Sequence, residues 1–278
     1  MWEKQSIETE RGIFEYFKKG KGKPICITHL YSEYNEKGNL FASLFVERYT
    51  VYLINLRGCG NSTHDISEFE FSMADSVEDL EAIRKALRIE KWSFAGHSTG
   101  GMLALKYTIL YPESLIEIIA GGLCASSNYA RHKGSIYCAK NPNNARLKEI
   151  FKVLHNPSST LEERRAASKE WLMMSLYNEK AYDEMMNRPN SGKTVSKRLD
   201  YFSYEELPTY DLRPQLKDVQ TLAYIYSGLY DAQCPHEYAV EAANLMPNAT
   251  MTTFEKSNHF PFVEEEAEFK AFLSKIVI

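Results

Sequence analysis

One serine of this chain stands between two glycines, in the pentapeptide Gly96-His97-Ser98-Thr99-Gly100. An apolar run at 92–95 precedes it, and residues with helical spacing follow from 101 onward. The pattern predicts a strand, a tight turn and a helix. A side chain at either glycine position would collide with the tightly turned backbone around the serine. Ser98 is therefore a candidate nucleophile. The pentapeptide alone is a modest signal, since about one chain in ten of this length contains one by chance.

A serine hydroxyl is a poor nucleophile at neutral pH, so it needs a base, and the base needs a carboxylate to orient it. Asp231 follows a predicted strand that ends at Ser227. His259 follows another that ends at Phe254. The carboxyl ends of parallel strands form the ligand-binding edge of an open sheet. We therefore predict that Ser98, Asp231 and His259 meet there as nucleophile, orienting acid and base.

Short apolar runs alternate with helix-like segments in the first third of the chain and again near its end. Predicted strands cover 12–17, 24–28, 50–56, 92–95, 115–120, 222–227 and 250–254. Predicted helices cover 39–48, 76–87, 101–110, 236–245 and 264–276. The run at 50–56 is almost continuously apolar, as in strands buried on both faces. This alternation indicates βαβ units, and hence an α/β domain with a mostly parallel sheet.

The middle of the chain has a different character. The strand signal fades between about 124 and 213, and helical spacing dominates at 144–155, 160–176 and 180–187. The segment is too apolar to be a linker. We predict two units: an α/β core formed by residues 1–123 and 214–278, and an inserted helical domain formed by residues 124–213.

Bulk composition limits the classes of partner. The 278 residues suffice for one large α/β domain or a domain with an insertion. A net charge of −4 and a pI near 6.0 give no reason to expect nucleic acid or an anionic membrane surface as partner. No apolar stretch reaches about 18 residues, and the first residues lack the layout of a signal peptide, so we expect no membrane span.

Cysteine and histidine usage bears on compartment and metals. Five cysteines are scattered without a CxxC pair: Cys26, Cys59, Cys124, Cys138 and Cys234. We expect free thiols in a cytoplasmic protein. Four histidines have no metal-like spacing to each other or to the cysteines: His64, His132, His155 and His236. We predict neither a metal site nor a cofactor.

Together these motifs resemble the α/β-hydrolase superfamily with a helical cap, which includes carboxylesterases and prolyl iminopeptidases. The resemblance covers nearly the full chain. It is carried by five motifs: 96–100, Gly228-x-x-Asp231-x-x-x-Pro235, Ser257-Asn258-His259-Phe260-Pro261, Arg57-Gly58-Cys59-Gly60-Asn61-Ser62 and Asp211-Leu212-Arg213-Pro214. It implies a mostly parallel, doubly wound sheet with the cap inserted. It also implies a serine hydrolase that forms an acyl-enzyme.

The chain departs from the family pattern in two places. The family usually has His-Gly-x after its third strand, with the backbone N–H of x donating to the oxyanion, but here the segment reads His29-Leu30-Tyr31. By position, the resemblance implies the N–H groups of Tyr31 and Thr99 as oxyanion donors. Asn55 stands where the family often has Asp, at a position that is usually structural.

The resemblance implies first a small carboxylic ester or amide as substrate. Candidate substrate contacts are His29, Leu30, Tyr137, Trp171, Tyr201, Glu205 and Glu206. No nucleic acid or membrane is expected as partner, and the sequence leaves the oligomeric state open.

Two alternatives remain. A prolyl iminopeptidase would use cap glutamates to bind a free amine, for which Glu205 and Glu206, or Glu162 and Glu163, are candidates; the other interpretation makes them exposed helix carboxylates. That family's pentapeptide is typically Gly-Gly-Ser-Trp-Gly, and Ala232 follows the acid where a further glutamate is expected. A non-catalytic small-ligand-binding protein on the same fold is the second alternative.

Overall fold

A mixed sheet of eight strands forms the centre of the computed structural model, which describes residues 1–64 and 71–276. The strands are β1 (Glu3–Thr9), β2 (Gly12–Gly20), β3 (Lys23–Ile27), β5 (Tyr49–Ile54), β6 (Trp92–His97), β7 (Leu115–Gly121), β9 (Leu222–Gly228) and β10 (Ala249–Phe254). Their spatial order is β1-β2-β5-β3-β6-β7-β9-β10. Only the pairings of β2 with β1 and β5 are antiparallel within this sheet. The predicted α/β fold with a mostly parallel sheet is confirmed.

Helices cover both faces of the sheet, as in a doubly wound fold. They are α1 (Leu40–Ser43), α2 (Met73–Ala86), α3 (Thr99–Leu110), α8 (Arg213–Leu216), α9 (His236–Leu245), α10 (Pro261–Glu264) and α11 (Glu266–Ser274). Apolar residues of α2, α3 and α9, such as Leu80, Leu103 and Ala239, pack on one face. Phe41 of α1 and Phe269 of α11 pack on the other.

The chain between β7 and β9 is mainly helical. It contains α4 (Asn144–His155), α5 (Leu161–Met173), α6 (Lys180–Met186) and α7 (Ser196–Tyr201), followed by a π-helical stretch at Phe202–Glu206. A capping box starts α5: the Thr160 side chain accepts the Glu163 N–H, and the Glu163 carboxylate accepts the Thr160 N–H. A short pair of strands, β4 (Ser32–Glu33) and β8 (Lys193–Thr194), joins this segment to the loop after β3.

Three elements differ from the sequence predictions. The predicted helix at 39–48 is helical only over α1, which Asn39 caps. The predicted helix at 264–276 is two helices, because the backbone of Glu265 is non-helical and its carboxylate accepts the Lys256 N–H and the Ser257 hydroxyl. Strand β1 has no counterpart among the predictions, because its residues are mostly polar and exposed at a sheet edge.

The topology determines where the loops converge. Strand β3 lies between β5 and β6, so the direction of strand addition reverses between β3 and β6. Such a reversal leaves a crevice at the carboxyl ends of the two strands. The loop that contains His29 follows β3, and Ser98 follows β6, so both lie at this crevice.

Candidate active site

Ser98 occupies a sharp turn between β6 and α3. Its backbone has φ 58° and ψ −126°, and it is one of two non-glycine residues with positive φ in the described chain. A Cβ on Gly96 would lie 2.1 Å from the Gly100 carbonyl oxygen. A Cβ on Gly100 would lie 2.5 Å from the Thr28 carbonyl oxygen. The predicted need for both glycines is thus confirmed, and the turn presents a half-buried Ser98 side chain.

Asp231 and His259 are buried and in direct contact. The distances from His259 Nδ1 to the carboxylate oxygens Oδ2 and Oδ1 are 2.9 and 3.0 Å. Oδ1 also accepts the backbone N–H groups of Gln233 (2.9 Å) and Cys234 (2.8 Å). A carboxylate only accepts hydrogen bonds, so Nδ1 carries the proton. In the neutral ring Nε2 is then the free acceptor that a general base requires.

The His259 imidazole lies against the turn that holds Ser98. The Ser98 N–H donates to the Gly121 carbonyl at 2.9 Å. Gly122 follows Gly121 and has φ 56°; a Cβ on Gly122 would lie 3.0 Å from His259 Cε1 and 2.4 Å from His97 Cε1. Within the described residues the Ser98 hydroxyl makes no hydrogen bond, and catalytic hydrogen bonds often tighten only with substrate bound. The Ser98–His259 bond therefore stays a prediction.

His97 packs beneath the base. Its ring centroid lies 4.6 Å from that of His259 and 4.9 Å from that of Phe262. Its Nδ1 is 3.1 Å from the Tyr226 hydroxyl. Burial, together with the neighbouring His259 and His29, lowers the pKa of His97 well below its ordinary value. A neutral, enclosed ring suits a side chain that packs against the turn and His259 rather than one that transfers protons.

The predicted oxyanion donors lie on the loop after β3 and at the start of α3, which adjoin. The Thr99 N–H begins α3 and has no acceptor among the residues that the structure describes, as expected for a first-turn amide. The Tyr31 N–H makes one long contact, 3.4 Å, with His29 Nδ1. That distance exceeds the usual 2.7–3.2 Å range. Both amides thus retain capacity for a stronger acceptor.

The His29 side chain contacts both ends of the candidate oxyanion site, the loop after β3 and the start of α3. Its Nδ1 lies 3.0 Å from the Ser32 hydroxyl, and its Nε2 lies 3.1 Å from the Thr99 hydroxyl. Burial, with His259 and Arg198 nearby, lowers the pKa of His29 to about 3, so the ring is neutral. Because the Tyr31 N–H can only donate, Nδ1 is the acceptor and Nε2 donates to Thr99. His29 therefore ties the loop to α3.

A cavity of about 410 Å³ opens over Ser98. Of the predicted site residues, those that line it are Tyr31, Ser98, Thr99, Tyr137 and Trp171. The ring centroids of Phe151 and Trp171 lie 5.1 Å apart with the rings perpendicular, and they belong to a wall that is rich in aromatic side chains. The volume suits a small molecule.

Several predicted substrate contacts lie away from the described cavity wall. Leu30 is fully buried in the core. Both oxygens of Glu206 accept the Met73 N–H, at 3.0 and 3.2 Å, so this carboxylate caps α2. Glu205 is exposed, and the Tyr201 ring packs on Phe71. The described cavity wall includes none of these side chains, nor His29.

Several polar residues of the cavity were absent from the predictions, and Gln233 and Asp200 are two of them. Gln233 accepts the Tyr137 hydroxyl at 2.7 Å and donates to the Ser175 hydroxyl at 2.9 Å. Its position two residues after Asp231 is the one signal that could have indicated it. Asp200 also lines the cavity, with Oδ1 3.9 Å from His155 Nε2. Its proximity depends on how the helical segment folds back over Ser98.

Three further properties concern residues 1–64 and 71–276. All five cysteines are buried and free. The His, Cys, Asp and Glu side chains of these ranges form no group of three that could hold a metal ion. None of the helices in the same ranges combines the length and apolar character needed to cross a membrane.

Comparison with known proteins agrees with this architecture. A model of the alpha/beta hydrolase fold family matches residues 27–266, and the chain belongs to that family. An alpha/beta fold family hydrolase from Bacillus anthracis str. Sterne has a solved structure that superposes with a TM-score of 0.97 at 53% identity. The match covers 99% of each chain.

Two curated relatives are proline iminopeptidases. The protein from Heyndrickxia coagulans is 24% identical over 260 residues, which are 91% of this chain and 89% of the relative. The protein from Lactobacillus delbrueckii subsp. bulgaricus is 28% identical over 239 residues, 82% of this chain and 80% of the relative. These similarities support hydrolase activity for this chain.

The contact between Asp231 and His259 leads to a prediction. In Asp231→Asn, the amide oxygen would accept the N–H groups of Gln233 and Cys234, which turns the NH₂ group toward His259 Nδ1. The ring must then carry its proton on Nε2, the wrong tautomer for a base. We expect kcat for ester hydrolysis to fall by about 10⁴. The control is Asp218→Asn at an exposed position. A loss of kcat below about tenfold would show that Asp231 does not orient His259 as a base.

Proposed function

We propose that this α/β-hydrolase family member is a serine hydrolase that cleaves a small carboxylic ester or amide through an acyl-enzyme. The observation that carries the proposal is the buried His259–Asp231 pair, 2.9 Å apart, next to a serine with positive φ. This arrangement has the parts that activate a serine hydroxyl: a nucleophile on a sharp turn, a base and a carboxylate that selects its tautomer.

In the proposed reaction Ser98 Oγ attacks the substrate carbonyl carbon while its proton passes to His259 Nε2. The carbonyl oxygen becomes an oxyanion, which the N–H groups of Tyr31 and Thr99 stabilise. The C–O or C–N bond to the leaving group then breaks, and His259 gives the proton to the departing atom. Water repeats these steps on the acyl-enzyme, releasing the acid and restoring Ser98.

The cavity favours an uncharged acyl group. Its aromatic wall, including Tyr137 and Trp171, suits an apolar substituent. Glu205 and Glu206, which would have bound a free amine, lie away from the described wall. We therefore place a small ester first.

An aminopeptidase is the second candidate, because two curated relatives are proline iminopeptidases. One observation gives it a specific basis in this chain: Asp200 lines the cavity and could bind a substrate ammonium group. Its present neighbour, His155, is 3.9 Å away and half-exposed, so the carboxylate retains capacity for another cation.

The first experiment tests for an activated serine. A fluorophosphonate probe should form a phosphorus–oxygen bond with Ser98, releasing fluoride, and label the wild-type protein stoichiometrically. We expect Ser98→Ala to remain unlabelled, with intact mass measured for both proteins. Folded wild-type protein that does not react would contradict the hydrolase proposal and favour a non-catalytic binding protein.

A second experiment separates the two substrate classes. We expect turnover of p-nitrophenyl butyrate and none of L-prolyl p-nitroanilide, because the cavity wall is rich in aromatic side chains and because Glu205 and Glu206 lie away from it. Anilide turnover at a comparable kcat/KM would contradict the ester assignment. In that case Asp200→Asn distinguishes the amine site: its KM should rise for the prolyl substrate and stay unchanged for the ester.

A further inference from the structure

A buried arginine of α7 contacts the loop that carries the proposed oxyanion donor. Arg198 is 1% exposed, although arginine is rarely buried without a specific role. Its guanidinium donates from Nε to the Leu30 carbonyl, from Nη1 to the Arg57 carbonyl at 2.9 Å, and from Nη2 to the Ser76 hydroxyl at 2.7 Å. Three neutral acceptors on three core segments thus receive one cation from the helical insertion.

The Leu30 contact has a direct geometric consequence. The Leu30 carbonyl and the Tyr31 N–H belong to one peptide unit, and the C=O and N–H of a trans peptide point in opposite directions. A donor that fixes the carbonyl on the core side therefore fixes the N–H on the opposite side. There the one contact of the N–H is the long one to His29 Nδ1, and the Tyr31 residue lines the cavity. A cation on the carbonyl also polarises the peptide, which strengthens the N–H as a donor.

We propose that Arg198 is a positioning residue that orients the Leu30–Tyr31 peptide so that its N–H can donate a hydrogen bond to the substrate oxyanion. The inference rests on the proposed function, because it assigns the oxyanion to the Tyr31 amide. It explains how the loop accommodates Leu30 where the family usually has glycine: a side-chain anchor holds the peptide plane. It also makes the helical insertion part of the catalytic apparatus, because α7 supplies the anchor.

Two variants of similar shape isolate the hydrogen bond from Arg198 Nε to the Leu30 carbonyl. Glutamine places its side-chain nitrogen at the position of arginine Nε, whereas methionine has no donor there. Arg198→Gln and Arg198→Met both lose the charge and the hydrogen bonds to Arg57 and Ser76. The two variants therefore differ from each other in whether a donor to the Leu30 carbonyl is present. Removing an oxyanion donor typically costs about 10²–10³ in kcat. We expect Arg198→Met to lose about ten- to a hundredfold in kcat at nearly constant KM, and Arg198→Gln to recover most of it.

Three further measurements make each result decisive. Affinity for a trifluoromethyl ketone analogue of the ester should fall in Arg198→Met in proportion to kcat/KM, because the analogue forms an oxyanion on Ser98. Ser76→Ala removes another Arg198 hydrogen bond and should lower Tm but leave kcat within about threefold.

If the uncharged variants do not fold, Arg198→Lys keeps a cation and places a methylene at the Nε position. It should lower kcat and shift the Tyr31 amide resonance in a ¹⁵N-tyrosine spectrum.

Equal kcat losses in Arg198→Met and Arg198→Gln would overturn the inference, as would a Lys variant with wild-type kcat and an unshifted Tyr31 amide. A wild-type protein that hydrolyses no ester would instead reject the proposed function. The Tyr31 resonance distinguishes the two failures, because it reports the peptide orientation whether or not the protein is active.

Discussion

The backbone of Ser98 is the constraint on which the site depends. A serine held at φ 58° and ψ −126° costs of the order of 1–3 kcal/mol, so neighbouring structure must impose it. The N–H of Ser98 bonds to Gly121, and its carbonyl accepts the Met102 N–H, which anchors the turn to β7 and α3. The close approach between Gly96 and Gly100 leaves no space for a Cβ there. The strained turn exposes the hydroxyl at the carboxyl edge of the sheet.

Strand order brings the other groups to the same edge. The loops after β3, β6, β9 and β10 carry Tyr31, Ser98, Asp231 and His259 respectively, and they emerge together because these strands run parallel. Burial of the Asp231–His259 pair strengthens its hydrogen bonds, since few water molecules compete for the carboxylate. The helical insertion closes the cavity above and sends Arg198 into the core beneath the loop.

Sequence patterns predicted the elements whose signals are local. The glycine spacing at 96–100 and the apolar runs before Ser98, Asp231 and His259 reflect backbone crowding and strand burial, which depend on neighbouring residues. Those local patterns could not predict contacts between residues that are distant in the sequence. Glu206 caps a helix that begins 133 residues earlier in the chain, and Arg198 reaches a carbonyl 168 residues away. No spacing rule marks either contact, so the sequence could not indicate which side chains of the helical segment lie at the cavity.

We propose that Ser98, His259 and the N–H groups of Tyr31 and Thr99 act on one tetrahedral centre. A crystal structure of the protein modified by an alkyl phosphonate tests it most directly, because the adduct imitates the transition state of acylation. We expect phosphorus bonded to Ser98 Oγ, a phosphonyl oxygen that accepts hydrogen bonds from the N–H groups of Tyr31 and Thr99, and His259 Nε2 within hydrogen-bond distance of Ser98 Oγ. An adduct whose phosphonyl oxygen faces away from both amides, or a His259 ring directed away from Ser98, would contradict it.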